Sequence, residues 1–229
     1  MKKVGIIGGL GPETTARFYL EIIESVKKDK PFQRPEILID SVKMDLKVEE
    51  SFINGNDQSS AYLELLTSAA KSLEKAGADF LVIPCNTVHI FIEEIRAAVN
   101  IPVLSIIEEV TNFLVESSIK KIGLLATNNT LKTGLYGKTL ELHSIKIFHP
   151  SKENQEKIGH LITRLVNGEH TQEDKTQLTK IINSLKENKV EAILLACTDL
   201  QLIISEHNSI PIFDTMKILA KATSKKISS

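Results

Sequence analysis

No run of apolar residues in this 229-residue chain approaches the ~20 that a membrane-spanning helix requires. The opening, Met1-Lys-Lys-Val-Gly-Ile-Ile-Gly-Gly, is basic and then apolar. Its apolar part is too short for a secretory signal and no small-residue cleavage pattern follows it. Neither sign of charge dominates: 28 Lys and Arg stand against 29 Asp and Glu, a net charge of −1. Nothing in that balance draws the chain to nucleic acid or to an anionic membrane. Cysteine is scarce, only Cys85 and Cys197; with no secretory segment, reduced thiols in the cytosol are expected. Zinc-type ligand spacing is absent, as are low-complexity stretches and linkers. The glycine-rich Gly8-Gly-Leu-Gly-Pro lacks the further glycine of a dinucleotide fingerprint, having Glu13 and Thr14 instead, and Pro12 intrudes. A tight turn is the expected use of these glycines. What remains is 42% apolar and 25% charged, the composition of a globular protein with room for one to two domains.

The two cysteines occupy matching places. Cys85 ends the segment Ala76-Gly-Ala-Asp-Phe-Leu-Val-Ile-Pro-Cys85, and Cys197 ends Asn188-Lys-Val-Glu-Ala-Ile-Leu-Leu-Ala-Cys197. Polar residues follow each: Asn86-Thr87 in one case, Thr198-Asp199 in the other. Two further pairs of segments match in the same order. Lys2-Lys-Val-Gly-Ile-Ile-Gly8 is similar to Lys120-Lys-Ile-Gly-Leu-Leu-Ala126, and Asn100-Ile-Pro-Val-Leu104 to Ser209-Ile-Pro-Ile-Phe213. A repeat with so long a period denotes a duplicated domain rather than a solenoid.

Short Val/Ile/Leu-rich runs alternate with amphipathic stretches. Val4–Gly8, Glu36–Val42, Phe80–Pro84, Val103–Ser105, Ile122–Ala126, Ile145–Phe148, Ala192–Ala196 and Ile212–Phe213 read as strands. Their apolar residues do not alternate, as in strands covered on both faces. Thr14–Lys28, Ala61–Ala76, His89–Val99, Glu153–Asn167 and Gln172–Lys189 read as helices. In the second of these, Leu65, Ala69 and Leu73 recur at helical spacing. The polar stretch Thr171–Asp174 reads as solvated surface, and the tail Thr223–Ser229 is expected to fray. The pattern predicts an α/β fold of two duplicated domains, each a parallel sheet flanked by helices. The first domain is expected to hold residues 1–105 plus 207–229, the chain crossing back at its end, and the second 106–206. Ligands of open parallel sheets bind at the carboxyl ends of strands, where both cysteines lie.

Four segments carry a family resemblance: Gly8-Gly-Leu-Gly-Pro-Glu-Thr-Thr15, Pro84-Cys-Asn-Thr-Val-His89, Leu125-Ala-Thr-Asn-Asn-Thr130 and Ala196-Cys-Thr-Asp-Leu200. Over nearly the whole chain they resemble the aspartate/glutamate racemase superfamily, most closely its aspartate racemase branch. The resemblance implies two pseudo-symmetric domains with the active site in the cleft between them, no cofactor, a small amino-acid substrate and a homodimer; with no zinc-type ligand cluster, no metal is expected. It makes Cys85 and Cys197 the catalytic pair. The chemistry agrees, because racemisation needs a base on one face of the α-carbon and an acid on the other. A thiol, with a pKa of ~8.5 that a helix start lowers, serves as either near neutral pH. By the same resemblance Asn86, Thr87, Thr130 and Thr198 contact the substrate carboxylate. Helix capping is the competing use of such residues. Asp199 is a candidate for the substrate ammonium or for a turn. His89, four residues beyond Cys85, lies on the same helical face; it is expected as a buried structural histidine, ahead of a role on the thiol or a metal.

One departure bears on the substrate. In the aspartate branch an arginine and a lysine grip the side-chain carboxylate, and by ungapped alignment their places fall on Lys47 and Asn167. Lys47 keeps a charge without the bidentate fork, Asn167 has none, and Arg164 lies a turn away from it. The function expected is therefore a cofactor-independent racemase of L- and D-aspartate acting through two cysteines. Open alternatives are a racemase of glutamate or of broader amino acids, a hydantoin racemase or maleate isomerase on the same fold, and an amino-acid-binding protein without turnover.

Overall fold

In the computed structural model, which describes residues 1–56 and 59–229, Val4–Gly8 forms strand β1 with all five residues buried. Burial on both faces is why the run is apolar throughout. Gly9 and Gly11 turn the chain with φ of +83° and +85°, and a Cβ at Gly9 would lie 2.7 Å from the backbone of Val42. Only glycine fits there without strain. Helix α1 (Pro12–Asp29) follows, with Pro12 at its first position and Phe18, Ile22 and Val26 buried one turn apart. Strand β2 (Ile37–Ser41) pairs parallel with β1. Next come α2 (Leu46–Ile53), α3 (Ser59–Lys75) and strand β3 (Phe80–Val82), which pairs parallel with the other side of β1. A 3₁₀ turn over Thr87–Phe91 runs into α4 (Ile92–Ala97), and α5 (Ile106–Glu116) follows.

The second half repeats the plan. Strand β4 (Lys121–Ala126) is followed by α6 (Asn128–Lys132), α7 (Gly137–Leu142) and β5 (Lys146–Phe148). Helices α8 (Lys152–Val166) and α9 (Gln172–Lys186) lead to β6 (Ala192–Ala196), a 3₁₀ turn over Leu200–Leu202, β7 (Ile212–Asp214) and α10 (Thr215–Ser228). The sheets are ordered β2-β1-β3 and β5-β4-β6-β7, and every pairing is parallel. The fold is thus α/β with two parallel sheets, and the central strands β1 and β4 hold equivalent places.

The repeat extends to the fourth strand. Val103 makes a parallel bridge to Leu81, as Ile212 pairs with Ile193. In each half the carbonyl before the bridging residue, that of Pro102 or Pro211, accepts from the cysteine-bearing strand at 2.8 or 2.9 Å. Arg96 donates to the Val103 carbonyl at 3.1 Å and holds that segment in place. Because β7 pairs with β6, residues 207–215 stay with the second sheet instead of completing the first, as the sequence suggested. Two compact units result: Met1–Asp45, Gln58–Glu109 and Met216–Ser229 form one; Leu46–Asp57 and Val110–Thr215 form the other.

Three other expectations change. The tail does not fray: Thr223, Ser224 and Ile227 are buried in α10, and the Ile227 carbonyl accepts from Lys2 N–H at 2.9 Å. Thr171–Asp174 are not merely solvated. The Asp174 carboxylate accepts from Thr171 N–H at 2.8 Å, starting α9 with a capping box, and Asp174 is buried against Arg164. Finally, Leu46–Ile53 forms a helix, α2, that sequence reading passed over. It belongs to the second unit, where Ile53 joins the apolar core with Ile158, Leu161 and Leu178.

Candidate active site

Cys85 follows β3 by three residues and is half-buried. The 3₁₀ turn after it closes with His89 N–H donating to the Asn86 carbonyl at 3.0 Å. Asn86 and Thr87 are buried here, and the Asn86 side chain does not cap the turn. His89 is wholly buried. Its Nε2 accepts from Ile106 N–H at 3.1 Å, so Nδ1 carries the proton and donates to the Cys85 carbonyl at 2.7 Å. Burial lowers its pKa to about 4 and keeps the ring neutral. With both nitrogens engaged, the ring ties the start of α5 to the peptide of Cys85. It has no lone pair left for a metal, which is the structural role expected from the sequence. Among the described residues no group of three or more His, Cys, Asp or Glu is placed to hold a metal ion.

Cys197 follows β6 directly and is buried. Leu200 N–H closes the next turn on the Cys197 carbonyl at 3.2 Å. Thr198 is buried within it. Asp199 opens the 3₁₀ segment without capping it; its Oδ2 instead lies 3.8 Å from Cys197 Sγ, accepting from the thiol. Nearby, Thr127 caps α6 by accepting from Thr130 N–H at 3.0 Å, and its hydroxyl donates to Thr130 Oγ1 at 2.9 Å. Thr130 therefore sits inside the capped first turn, and Thr127 is the cap.

The residues proposed for the side-chain end are dispersed. Lys47 is exposed on α2. Arg164 forms a two-pronged ion pair with Asp174, whose carboxyl that guanidinium holds below the usual range. Asn167 donates to Glu50 Oε1 at 2.9 Å.

Sequence reading missed one buried acid on α2. Glu49 is only 7% exposed. Burial, and then the charge of Asp199, raises its pKa to about 7. The signal was present in the sequence: Glu49, Phe52 and Ile53 follow at i, i+3 and i+4, so the glutamate occupies the apolar face of α2. Lys47, two residues earlier, points to the other side. The second unit thus sets the Asp199 carboxylate against the Cys197 thiol.

Comparison with known proteins bears on what such a pair of cysteine turns does. The Asp/Glu/hydantoin racemase family model matches residues 7–223. The chain belongs to that family. It is 28% identical to the broad specificity amino-acid racemase RacX of Bacillus subtilis over 96% of either chain. Its structure is similar to that of an aspartate racemase homologue from Pyrococcus horikoshii (29% identity, TM-score 0.81, 100% of both chains). It is also similar to the aspartate racemase of Picrophilus torridus (28% identity, TM-score 0.84, 100% of this chain and 95% of that one). A glutamate racemase from Francisella tularensis shares the fold, with a TM-score of 0.64 at 15% identity. As a member of the family this chain is an amino-acid racemase, with the duplicated fold of its relatives. No helix among the described residues is long and apolar enough to cross a membrane.

Proposed function

We propose that the chain is a cofactor-independent amino-acid racemase in which Cys85 and Cys197 act on opposite faces of the substrate α-carbon. One cysteine, as thiolate, takes the α-proton, and the C–H electron pair passes into the α-carbon and the adjoining carboxylate. The other, as thiol, delivers its proton to the far face; the reverse direction exchanges the two roles. Backbone N–H groups of the turns after each cysteine stabilise the charge that develops on the carboxylate. The observation that supports this reading is the equivalence of the two stations. Each cysteine follows the strand beside the central strand of its own sheet, and each opens a 3₁₀ turn.

Aspartate is the substrate that the resemblance puts first, and two of the similar structures carry that name; RacX stands for a broader set. Proton NMR in D₂O with a panel of L- and D-amino acids tests the reading. The α-proton signal of substrates should vanish, and deuterium should appear at the α-carbon in both directions. Cys85→Ser and Cys197→Ser should each lower racemisation by several orders of magnitude, since each direction needs both groups. Residual exchange in the two variants should favour opposite enantiomers. Activity should survive dialysis against a chelator. Near wild-type racemisation in either variant would overturn the two-thiol mechanism.

A further inference from the structure

The turn that carries Thr130 is held by a residue outside both cysteine turns. Ala126 pairs with Ala196 at the ends of β4 and β6, so Thr127 and Cys197 leave the sheet at the same level. The chain passes from β4 to β5 on one side, while β6 and β7 lie on the other. The carboxyl ends of β4 and β6 are therefore the place where such a sheet takes a ligand. Thr127, Asn129 and Thr130 are buried in the turn from β4 into α6. Thr127 Oγ1 accepts from Thr130 N–H at 3.0 Å and donates to Thr130 Oγ1 at 2.9 Å. A hydroxyl oxygen that accepts from Thr127 must aim its own proton elsewhere.

Gln155 reaches this turn from α8. Its Nε2 donates to the Ala126 carbonyl at 3.0 Å and to Asn128 Oδ1 at 2.9 Å. The Ala126 carbonyl can only accept, so it fixes which end of the amide faces the turn. The Gln155 Oε1 is then buried with no hydrogen bond among the described residues, a cost that an apolar side chain would avoid. What the amide supplies in return is the tie to both sides of Thr127. One turn further along α8, Gly159 leaves room for the same asparagine: a Cβ there would lie 2.9 Å from Asn128 Nδ2.

We propose that Gln155 is a positioning residue of the racemase site, holding the turn from β4 into α6 so that the Thr130 hydroxyl meets the substrate carboxylate beside Cys197. The inference rests on the two-thiol racemase reading and adds to it the residue that sets one carboxylate contact.

The test measures deuterium incorporation at the α-carbon in D₂O, with the amino acid that the wild-type chain exchanges fastest. The variants are Gln155→Met, Gly159→Ala, Thr130→Val and the two double variants that include Thr130→Val. Methionine keeps the length of glutamine and loses both N–H bonds. Alanine favours a helix more than glycine does, so Gly159→Ala acts on the turn through Asn128 and not by weakening α8. A small misplacement of a contact group costs up to about a hundredfold, so each of these two changes should lower kcat/KM by roughly 10–100-fold. The loss should fall mainly on kcat, because charge builds on the carboxylate in the transition state. With Thr130→Val already present, either change should cost no more than about twofold, since the hydroxyl it serves is gone. A full-sized loss in that background would overturn the inference, leaving Gln155 a role in the fold alone. Wild-type exchange in Gln155→Met or in Thr130→Val would overturn it too. Gly159→Ala decides the matter if Gln155→Met folds poorly. Each of these failures leaves the racemase reading intact. No exchange of any amino acid by the wild-type chain would overturn that reading, and this inference with it.

Discussion

Replacing Glu49 by glutamine removes one titrating carboxyl from a buried site, and the consequence for stability depends on pH. The carboxyl has an ordinary pKa of 4.5 in the unfolded chain and about 7 in the folded one, mainly because burial disfavours its charge. The folded state therefore holds this proton more tightly. The stability that follows is complete below pH 4.5 and is lost as pH rises from there through 7. At about 1.4 kcal/mol per pH unit the loss amounts to about 3 kcal/mol. Glutamine at 49 keeps the shape and does not titrate. The stability difference between Glu49→Gln and wild type should therefore shift towards the variant by about 3 kcal/mol between pH 4.5 and pH 8. His89 works in the opposite sense: its folded pKa of about 4 lies below the usual 6.5, so its contribution is lost as pH falls from 6.5 towards 4. That contribution is common to both proteins and cancels in the difference. Urea unfolding at pH 5, 6, 7 and 8, with the midpoint read at constant slope, gives the comparison. Parallel pH profiles for the two proteins would refute the reasoning, since Glu49 would then titrate alike folded and unfolded.

Two further outcomes are expected. Cys85 is half-buried and Cys197 buried, so iodoacetamide should label Cys85 first, as read by peptide mass spectrometry, and saturating substrate should slow the labelling; equal rates with and without substrate would separate Cys85 from the substrate site. His89→Leu should destabilise the fold by about 2–5 kcal/mol, because the Ile106 N–H and Cys85 carbonyl lose their buried partner; a chemical-denaturation midpoint unchanged from wild type would contradict the tie between α5 and the cysteine turn.

Much of the fold was legible because it is written in local pattern. Strands buried on both faces must be apolar throughout, so β1, β4 and β6 stand out as runs. Helices α1, α3, α8 and α9 announce themselves by apolar residues one turn apart. The short helix α2 did not: eight residues give barely two turns in which to read a period. The domain assignment of 207–215 failed for a related reason. An Ile-Pro-Val or Ile-Pro-Ile segment is read as a strand from its residues, but the strand it pairs with is fixed by hydrogen bonds far along the chain, here to β6.

The sequence by itself determined the alternation of strands and helices, the duplication, the two free thiols at equivalent strand ends and the family resemblance. Each rests on residue order alone. Only the tertiary structure decided what surrounds those thiols. His89 became a neutral tie because an amide seventeen residues away donates to it. Arg164 was withdrawn from any substrate by Asp174. Glu49 was buried with Phe52 and Ile53 on the inner face of α2, while Lys47 stayed exposed. Charge and proton affinity depend on distance and solvent exclusion, and both are properties of the packed chain.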